Sequence, residues 1–157
     1  RPNAGMRLAR KIGTTSYRAA VEWEDRFGAK RTDASRNHAF GIEFEVESYL
    51  DANARRFVQQ FDANAYLYLS RAMDLFNPGE TTTGFGALLK SLQLEFVDII
   101  GVTTDTLFPL HQQAELADAF ENAGQIVRYT VLDSLQGHDA FLVDIDRFAP
   151  LVTNFLN

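Results

Sequence analysis

Two short, strongly apolar runs separated by a helical pattern constrain the fold of this chain more than any other feature. The runs, 96–102 and 126–132, are rich in Val and Ile, and a helical pattern from about 110 to 123 lies between them. Strands that alternate with helices of this length form βαβ units with parallel pairing. Two strands do not make a stable sheet alone. We therefore expect the edge of a larger parallel α/β sheet whose other strands lie elsewhere.

The amino-terminal half of the chain carries helical patterns only. Apolar residues recur at helical spacing in four segments: 6–12, 19–27, 46–61 and 65–76. A polar loop is predicted over 29–42, and Asn77-Pro78-Gly79 marks a clear break. We therefore expect an all-helical segment over 1–77 and an α/β segment over 80–157.

Single residues refine these boundaries. Gly13 is expected to end or loosen the first helix and Gly28 to end the second, whereas Asp62 suits the N-cap of the fourth. The fourth helix is apolar nearly all round, which is typical of a core helix or of a dimer surface. Thr83 is expected to cap a short helix that runs through Leu92. A last helix is predicted from one apolar stripe: Phe148, Leu151, Val152 and Phe155.

Composition excludes several classes of protein. Of 157 residues, 46% are hydrophobic and 13 are Phe, which excludes a disordered chain. No apolar run approaches the roughly 18 residues of a membrane span, so no membrane association is expected. The absence of cysteine excludes disulfides and thiolate zinc sites and fits a cytoplasmic protein. No spacing of His, Asp and Glu indicates another metal site.

The net charge of −6 is unevenly distributed. Residues 1–37 hold nine basic and four acidic residues, whereas the rest of the chain is strongly acidic. This basic end lacks the density and the interleaved aromatics of a nucleic-acid site. We interpret it as a solvated helix face. The alternative is a positive rim that attracts an anionic cosubstrate.

Two candidate catalytic residues follow the two predicted strands. Asp105 comes after the first and His138 after the second, and ligands of open parallel sheets bind at the carboxyl ends of strands. A carboxylate bonded to one imidazole nitrogen fixes the tautomer and leaves the other nitrogen as a general base. Separately, each residue has a plain structural alternative, a helix cap or turn for the aspartate and a packing role for the histidine. Together they match the order Ser, Asp, His of α/β-hydrolase triads. The Gly-x-Ser-x-Gly nucleophile motif does not occur, so a nucleophile is expected upstream of Arg1 or not at all.

Several sequence runs resemble one family. Near the start they are Ala9-Arg10 and Tyr17-Arg18, and the longer ones are 44–50, 56–74, 103–109 and 137–142. In this order they resemble the carboxyl-terminal part of the homoserine O-acyltransferases, which include homoserine O-acetyltransferase and belong to the α/β-hydrolase superfamily. The resemblance implies that 1–77 is part of a helical lid domain. It implies that 80–157 is the carboxyl-terminal portion of an α/β-hydrolase core.

The resemblance also implies roles for single residues. Asp105 and His138 would be the acid and base of a Ser-His-Asp triad. Arg10 would bind the substrate carboxylate, a role that suits a bidentate guanidinium. Asp139 would bind the substrate ammonium, and Tyr17 would line the same pocket. Without the resemblance, a surface salt bridge would explain Arg10 and a helix cap would explain Asp139.

The activity implied is transfer of an acyl group from acyl-CoA to the side-chain hydroxyl of homoserine, by double displacement, in methionine biosynthesis. Acyl-CoA would be a cosubstrate, and no cofactor is expected. The serine would come from an upstream part of the same protein, so this segment alone is expected to be inactive. A homodimer through the lid helices is expected. Several alternatives stay open. The acceptor could be serine or another hydroxyl compound, or water in a hydrolase, and the acyl group could be acetyl or succinyl. If the chain is complete, it could be a non-catalytic interaction module.

Two residues depart from the family pattern. Ser16 stands before Tyr-Arg where Thr is common, and Thr106 follows the acid where a larger residue is often found. Both could change the shape of the pocket, and hence the acyl group or the acceptor. Whether Arg1 follows a natural cleavage, a nick or a cloning boundary is also open.

Overall fold

The computed structural model of this chain describes residues 2–33, 41–80 and 84–156. The cap predicted at Thr83, and His38 in the predicted loop, lie outside the described residues. No helix in the described part of the chain is both long and apolar enough to cross a membrane.

The chain forms two compact units. The first comprises Arg1–Ser16 and Ala20–Leu75, and the second comprises Tyr17–Ala19 and Phe76–Asn157. The division expected from the sequence placed Tyr17–Ala19 with the helical segment. The structure groups this short stretch with the second unit because its backbone packs against the segment around His138.

The described part of the first unit contains four helices: α1 Asn3–Ser16, α2 Ala20–Arg26, α3 Glu45–Gln60 and α4 Ala63–Leu75. Gly13 does not end α1, which was one of the two effects expected of it, since the helix continues to Ser16. A glycine inside a helix costs only about 1 kcal/mol relative to alanine, and α1 tolerates it. Gly28 does follow the end of α2, with a left-handed φ of +49°, as predicted.

Helix α1 packs against α3. Met6 of α1 is buried, and Ala54 of α3 is fully inaccessible. At the edge of this contact, Lys11 Nζ lies 2.9 Å from Asp51 Oδ1, and the hydrogen bond from the lysine lowers the pKa of the Asp51 carboxyl. The helical pairing therefore combines burial of Met6 and Ala54 with one ion pair at its edge.

Carboxylates fix the starts of helices α3 and α4. The Glu47 side chain accepts hydrogen bonds from the backbone N–H of Glu43 at 2.8 Å and of Phe44 at 2.9 Å. These bonds lower the pKa of Glu47, the one from Phe44 having the larger effect. Asp62 Oδ1 accepts the N–H of Ala65 at 2.9 Å, which confirms the predicted N-cap of α4.

Helix α4 buries none of its residues within the unit. Its large apolar side chains, and the one that follows its end, are exposed: Leu67, Tyr68, Leu69, Met73, Leu75 and Phe76. The apolar sequence of α4 was interpreted as that of a core helix or of a dimer surface. Within this chain α4 is not a core helix.

The described part of the second unit contains six regular elements: α5 Gly84–Ser91, β1 Val97–Val102, α6 Leu110–Asn122, β2 Val127–Leu132, α7 Ala140–Val143 and α8 Ile145–Leu156. Strands β1 and β2 are parallel and in register from Val97↔Val127 to Val102↔Leu132. The predicted βαβ unit is therefore confirmed, with α6 as its crossover. The side chains of Asp98 and Arg128 pair across the two strands.

The predicted last helix is confirmed as α8, which contains the whole apolar stripe from Phe148 to Phe155. His138 lies in a 3₁₀ turn, Gly137–Asp139. The following helical stretch is divided at Asp144 into α7 and α8. Asp144 accepts a hydrogen bond from the Ser134 hydroxyl at 2.6 Å, so its side chain serves a tertiary contact at the position where the helix is interrupted.

Candidate active site

The structure brings Asp105 and His138 together. Strands β1 and β2 end in register, at Val102 and Leu132, so the loops that follow them leave from the same edge of the sheet. His138 Nδ1 lies 2.9 Å from Asp105 Oδ2, although the residues are 33 positions apart. The sequence-based expectation that an acid and an imidazole meet at this edge agrees with the observed geometry.

The Asp105 carboxylate is held on both oxygens. Its Oδ1 accepts the backbone N–H of Leu107 at 2.8 Å and of Phe108 at 3.0 Å, while Oδ2 faces His138. The side chain is only 9% exposed. A carboxylate oxygen that carries no proton can only accept, so the hydrogen in this contact is the one on His138 Nδ1. Nε2 of the neutral ring is then left as an acceptor.

Aromatic side chains surround the His138 ring. Ring centroids of Phe108, Tyr17 and Phe141 lie 4.9, 5.9 and 6.0 Å from that of the imidazole. Tyr17, predicted to line the pocket, is thus placed beside the candidate base. No described residue forms a hydrogen bond with Nε2, and the imidazole and Asp105 both line a largely apolar cavity of about 370 Å³.

The turn that carries His138 is fixed against the Tyr17–Ala19 backbone. Gly137 has a φ of +62°, and a Cβ atom there would lie 2.8 Å from the Tyr17 carbonyl oxygen and from the Ala19 nitrogen. The Asp139 N–H donates to the Tyr17 carbonyl at 3.2 Å. Only glycine suits this position, because both the backbone conformation and the available space exclude a side chain.

Two hydroxyls near the pair were not singled out from the sequence. Thr104 Oγ1 donates to the Ser134 carbonyl at 2.6 Å and accepts the Gly137 N–H at 3.1 Å. Ser134 is fully buried, and its hydroxyl bonds Asp144. A Thr beside the acid and a Ser after a strand are common turn residues, so the sequence held no signal that would distinguish them.

Asp139 does not cap a helix, which was the explanation of this residue that did not require the family resemblance. It precedes α7, but its side chain makes no capping hydrogen bond. The residue is half-buried and directly follows His138 in the chain, and no hydrogen bond or salt bridge within the described ranges engages its carboxylate. Its predicted role as a ligand for the substrate ammonium stays a prediction.

Arg10 lies in the first unit, on α1. Its guanidinium carbon is 5.0 Å from the centroid of the Phe57 ring, a cation–π distance. Its predicted role in binding a substrate carboxylate is not tested by this contact and also stays a prediction. No group of three His, Asp or Glu residues in the described ranges is placed to hold a metal ion.

None of the known protein-family profiles matches the chain. Individual relatives do. Proteins named serine O-succinyltransferase from Litchfieldella anticariensis and Stenotrophomonas maltophilia are each 50% identical to it. One from Xylella fastidiosa is 46% identical. Each match covers 99% of this chain but 43% of the relative, so the chain spans less than half the length of these proteins.

Solved structures share the fold. Homoserine O-acetyltransferase from Bacillus anthracis superposes with a TM-score of 0.85 at 20% identity, over 100% of this chain and 42% of that protein. Esterase E22 superposes with a TM-score of 0.80 at 20% identity, over 99% of this chain and 43% of the esterase. At such low identity the likeness shows the fold alone, which is that of the carboxyl-terminal part of an α/β-hydrolase.

Proposed function

We propose that this chain is the carboxyl-terminal part of an acyltransferase of the α/β-hydrolase type, whose full-length protein transfers a succinyl group from succinyl-CoA to the hydroxyl of serine. The 2.9 Å contact between Asp105 and His138 carries this proposal. The acceptor and the acyl group follow the names of relatives that are 46–50% identical. Homoserine and acetyl-CoA, the pair expected from the sequence resemblance, are the competing substrates. A role in methionine biosynthesis would apply only to homoserine.

The proposed mechanism needs one serine from a preceding part of the protein. His138 Nε2 takes the proton of that serine, whose oxygen attacks the thioester carbonyl. The C–S bond breaks, and CoA leaves as the thiol with the proton from the imidazolium. His138 then deprotonates the acceptor hydroxyl, which attacks the acyl-enzyme ester and releases the nucleophilic serine. In both steps Asp105 would orient the ring and stabilise the imidazolium.

Recognition of an amino acid rather than a plain alcohol is assigned to three predicted residues. The Asp139 carboxylate would bind the acceptor ammonium, a role supported by its position next to the candidate base in the chain and by the half-buried state of the residue. Arg10 would bind the acceptor carboxylate, and Tyr17 would form a wall of the pocket. Serine is one methylene shorter than homoserine, a difference that a binding site commonly discriminates by about 1–3 kcal/mol.

Release of CoA thiol by the full-length protein tests the activity. We expect the fastest release with succinyl-CoA and serine, slower release with acetyl-CoA or homoserine, and little release without an acceptor. Fast release without an acceptor would indicate a hydrolase. No release with any of these pairs would contradict the proposal and favour a non-catalytic module.

Substitution of the candidate base tests the residue assignment. We expect His138→Ala to lower kcat by roughly 10³-fold or more, because both proton transfers would lose their base. His111→Ala is the matched control, since His111 is exposed on α6. Near-normal turnover of the His138 variant would exclude this histidine as the base.

The oligomeric state and the location in the cell are also proposals. We propose a homodimer through α4, supported by the exposed apolar side chains of that helix. The cytoplasmic location stays a prediction from the sequence.

A further inference from the structure

A single hydroxyl joins the two loops that carry the candidate acid and base. Thr104 directly precedes Asp105, and Gly137 directly precedes His138. Thr104 Oγ1 accepts the Gly137 N–H at 3.1 Å and donates to the Ser134 carbonyl at 2.6 Å. An amide N–H can only donate, so the hydroxyl proton is left for the Ser134 carbonyl, and both bonds have fixed directions.

We propose that Thr104 is a positioning residue, which keeps the His138 turn within hydrogen-bonding distance of Asp105. The imidazole then keeps the tautomer needed for acyl transfer. The proposal rests on the function proposed above for the same site. Thr104 lies beside the reacting groups along the chain, but neither of its two hydroxyl bonds involves the imidazole or the Asp105 carboxylate. Any effect on the reaction would therefore pass through backbone position.

The segment on either side of the turn is already anchored. Ser134 is fully buried, and its hydroxyl donates to Asp144 Oδ2 at 2.6 Å. Asp144 also lies 3.6 Å from Arg147. These contacts fix the two ends of the stretch from 134 to 144, while Thr104 bonds its middle at Gly137. Loss of the Thr104 hydroxyl should therefore displace the turn locally and leave the surrounding unit folded.

The test compares three variants of the full-length protein. Thr104→Val keeps the shape but removes both hydrogen bonds, and Thr104→Ser keeps the hydroxyl. Thr103→Val is the matched control, because the exposed Thr103 hydroxyl donates to Asp133 Oδ1 at 3.1 Å. That bond spans the same two loops without touching Gly137 or Ser134.

Three readouts separate positioning from general support of the fold. They are kcat and KM measured separately, the ¹⁵N NMR signature that reports which ring nitrogen of His138 carries the proton, and the melting temperature. For Thr104→Val we expect a fall in kcat of about 10²-fold, as a 1 Å misplacement of a reacting group can cause. KM for the acyl-CoA should change little, and the imidazole should become a mixture of tautomers. Thr104→Ser and Thr103→Val should resemble the wild type.

Three outcomes would overturn the proposal. One is a Thr104→Val protein with kcat within about twofold of wild type and an unchanged tautomer. Another is a loss of kcat in Thr104→Val that is fully explained by a lower melting temperature, with the tautomer unchanged. The third is a roughly tenfold or larger loss of kcat in Thr104→Ser, which retains the hydroxyl. This variant also provides the test if Thr104→Val does not fold. The NMR readout does not need turnover, so it distinguishes failure of this proposal from failure of the proposed function.

Discussion

Gly137 is the residue whose substitution the structure restricts most strongly near the candidate site. Its φ of +62° is unfavourable for any residue with a Cβ. The space is also closed, because the nearest atoms belong to the Tyr17–Ala19 backbone rather than to a flexible side chain. Relief of the clash would therefore require movement of a chain segment that itself contacts the His138 turn.

We predict that Gly137→Ala lowers both the melting temperature and kcat. The matched control is Gly124→Ala, since Gly124 also has a positive φ, of +87°, but no atom lies within 4 Å of the position that a Cβ would take there. The control should lose only the roughly 1–2 kcal/mol of a left-handed conformation and keep its activity. Equal effects of the two substitutions would show that the contact with Tyr17–Ala19 is unimportant.

The sequence predicted the two candidate site residues that directly follow the ends of strands. Asp105 and His138 could be paired because parallel strands bring their carboxyl ends to one edge. Thr104 and Ser134 could not, because a hydroxyl in a turn looks the same whether it bonds water or a distant backbone group. The side-chain roles of Arg10, Tyr17 and Asp139 depend on a substrate, so their positions in the fold do not decide them.

Helix α3 begins with a titratable contact. The N–H groups of Phe44 and Glu43 hold the pKa of Glu47 below its ordinary value. Because the folded-state pKa is depressed, the stabilisation is present above the unfolded pKa, about 4.3. It is lost as the pH falls through the lower folded-state pKa.

We therefore predict that the wild type melts at a higher temperature than Glu47→Gln at pH 7, and that the difference shrinks as the pH is lowered from about 5 to 3. Glutamine still accepts a hydrogen bond but carries no charge. Thermal melts of both proteins over this pH series measure the effect. A difference that stays constant at every pH would contradict the assignment to Glu47.

At the element scale, apolar periodicity predicted the helices and the βαβ unit, whereas the errors concern where elements end. Gly13 has a poor propensity for a helix interior, yet α1 continues to Ser16. The helical stretch is interrupted at Asp144, whose side chain accepts the Ser134 hydroxyl hydrogen bond. Local propensity does not contain such tertiary contacts.

For the molecule as a whole, helix α4 is notable because it presents several large apolar side chains to solvent. Tyr68 is 79% and Met73 72% exposed. If α4 forms the proposed homodimer contact, a charge placed there should be buried at the interface, where an unpaired charge is strongly unfavourable.

We predict that Met73→Glu shifts the full-length protein from dimer to monomer in analytical ultracentrifugation. Asn64→Glu is the matched control, because it adds the same charge to an exposed polar position of α4 and should leave the dimer intact. A wild type that sediments as a monomer, or a dimer in both variants, would exclude α4 as the contact.

The acid and the base are separated by only 33 positions and are carried by a single strand–helix–strand unit. Closing a loop of this length costs little more conformational entropy than closing one half as long, by about 0.6 kcal/mol. During synthesis the pair can therefore come together once β2 has docked beside β1 and the His138 turn has followed it, since the Tyr17–Ala19 backbone that this turn contacts is made earlier. The acid and the base would then belong to one local folding unit. A newly made molecule would become active when this unit docks with the segment that brings the nucleophile.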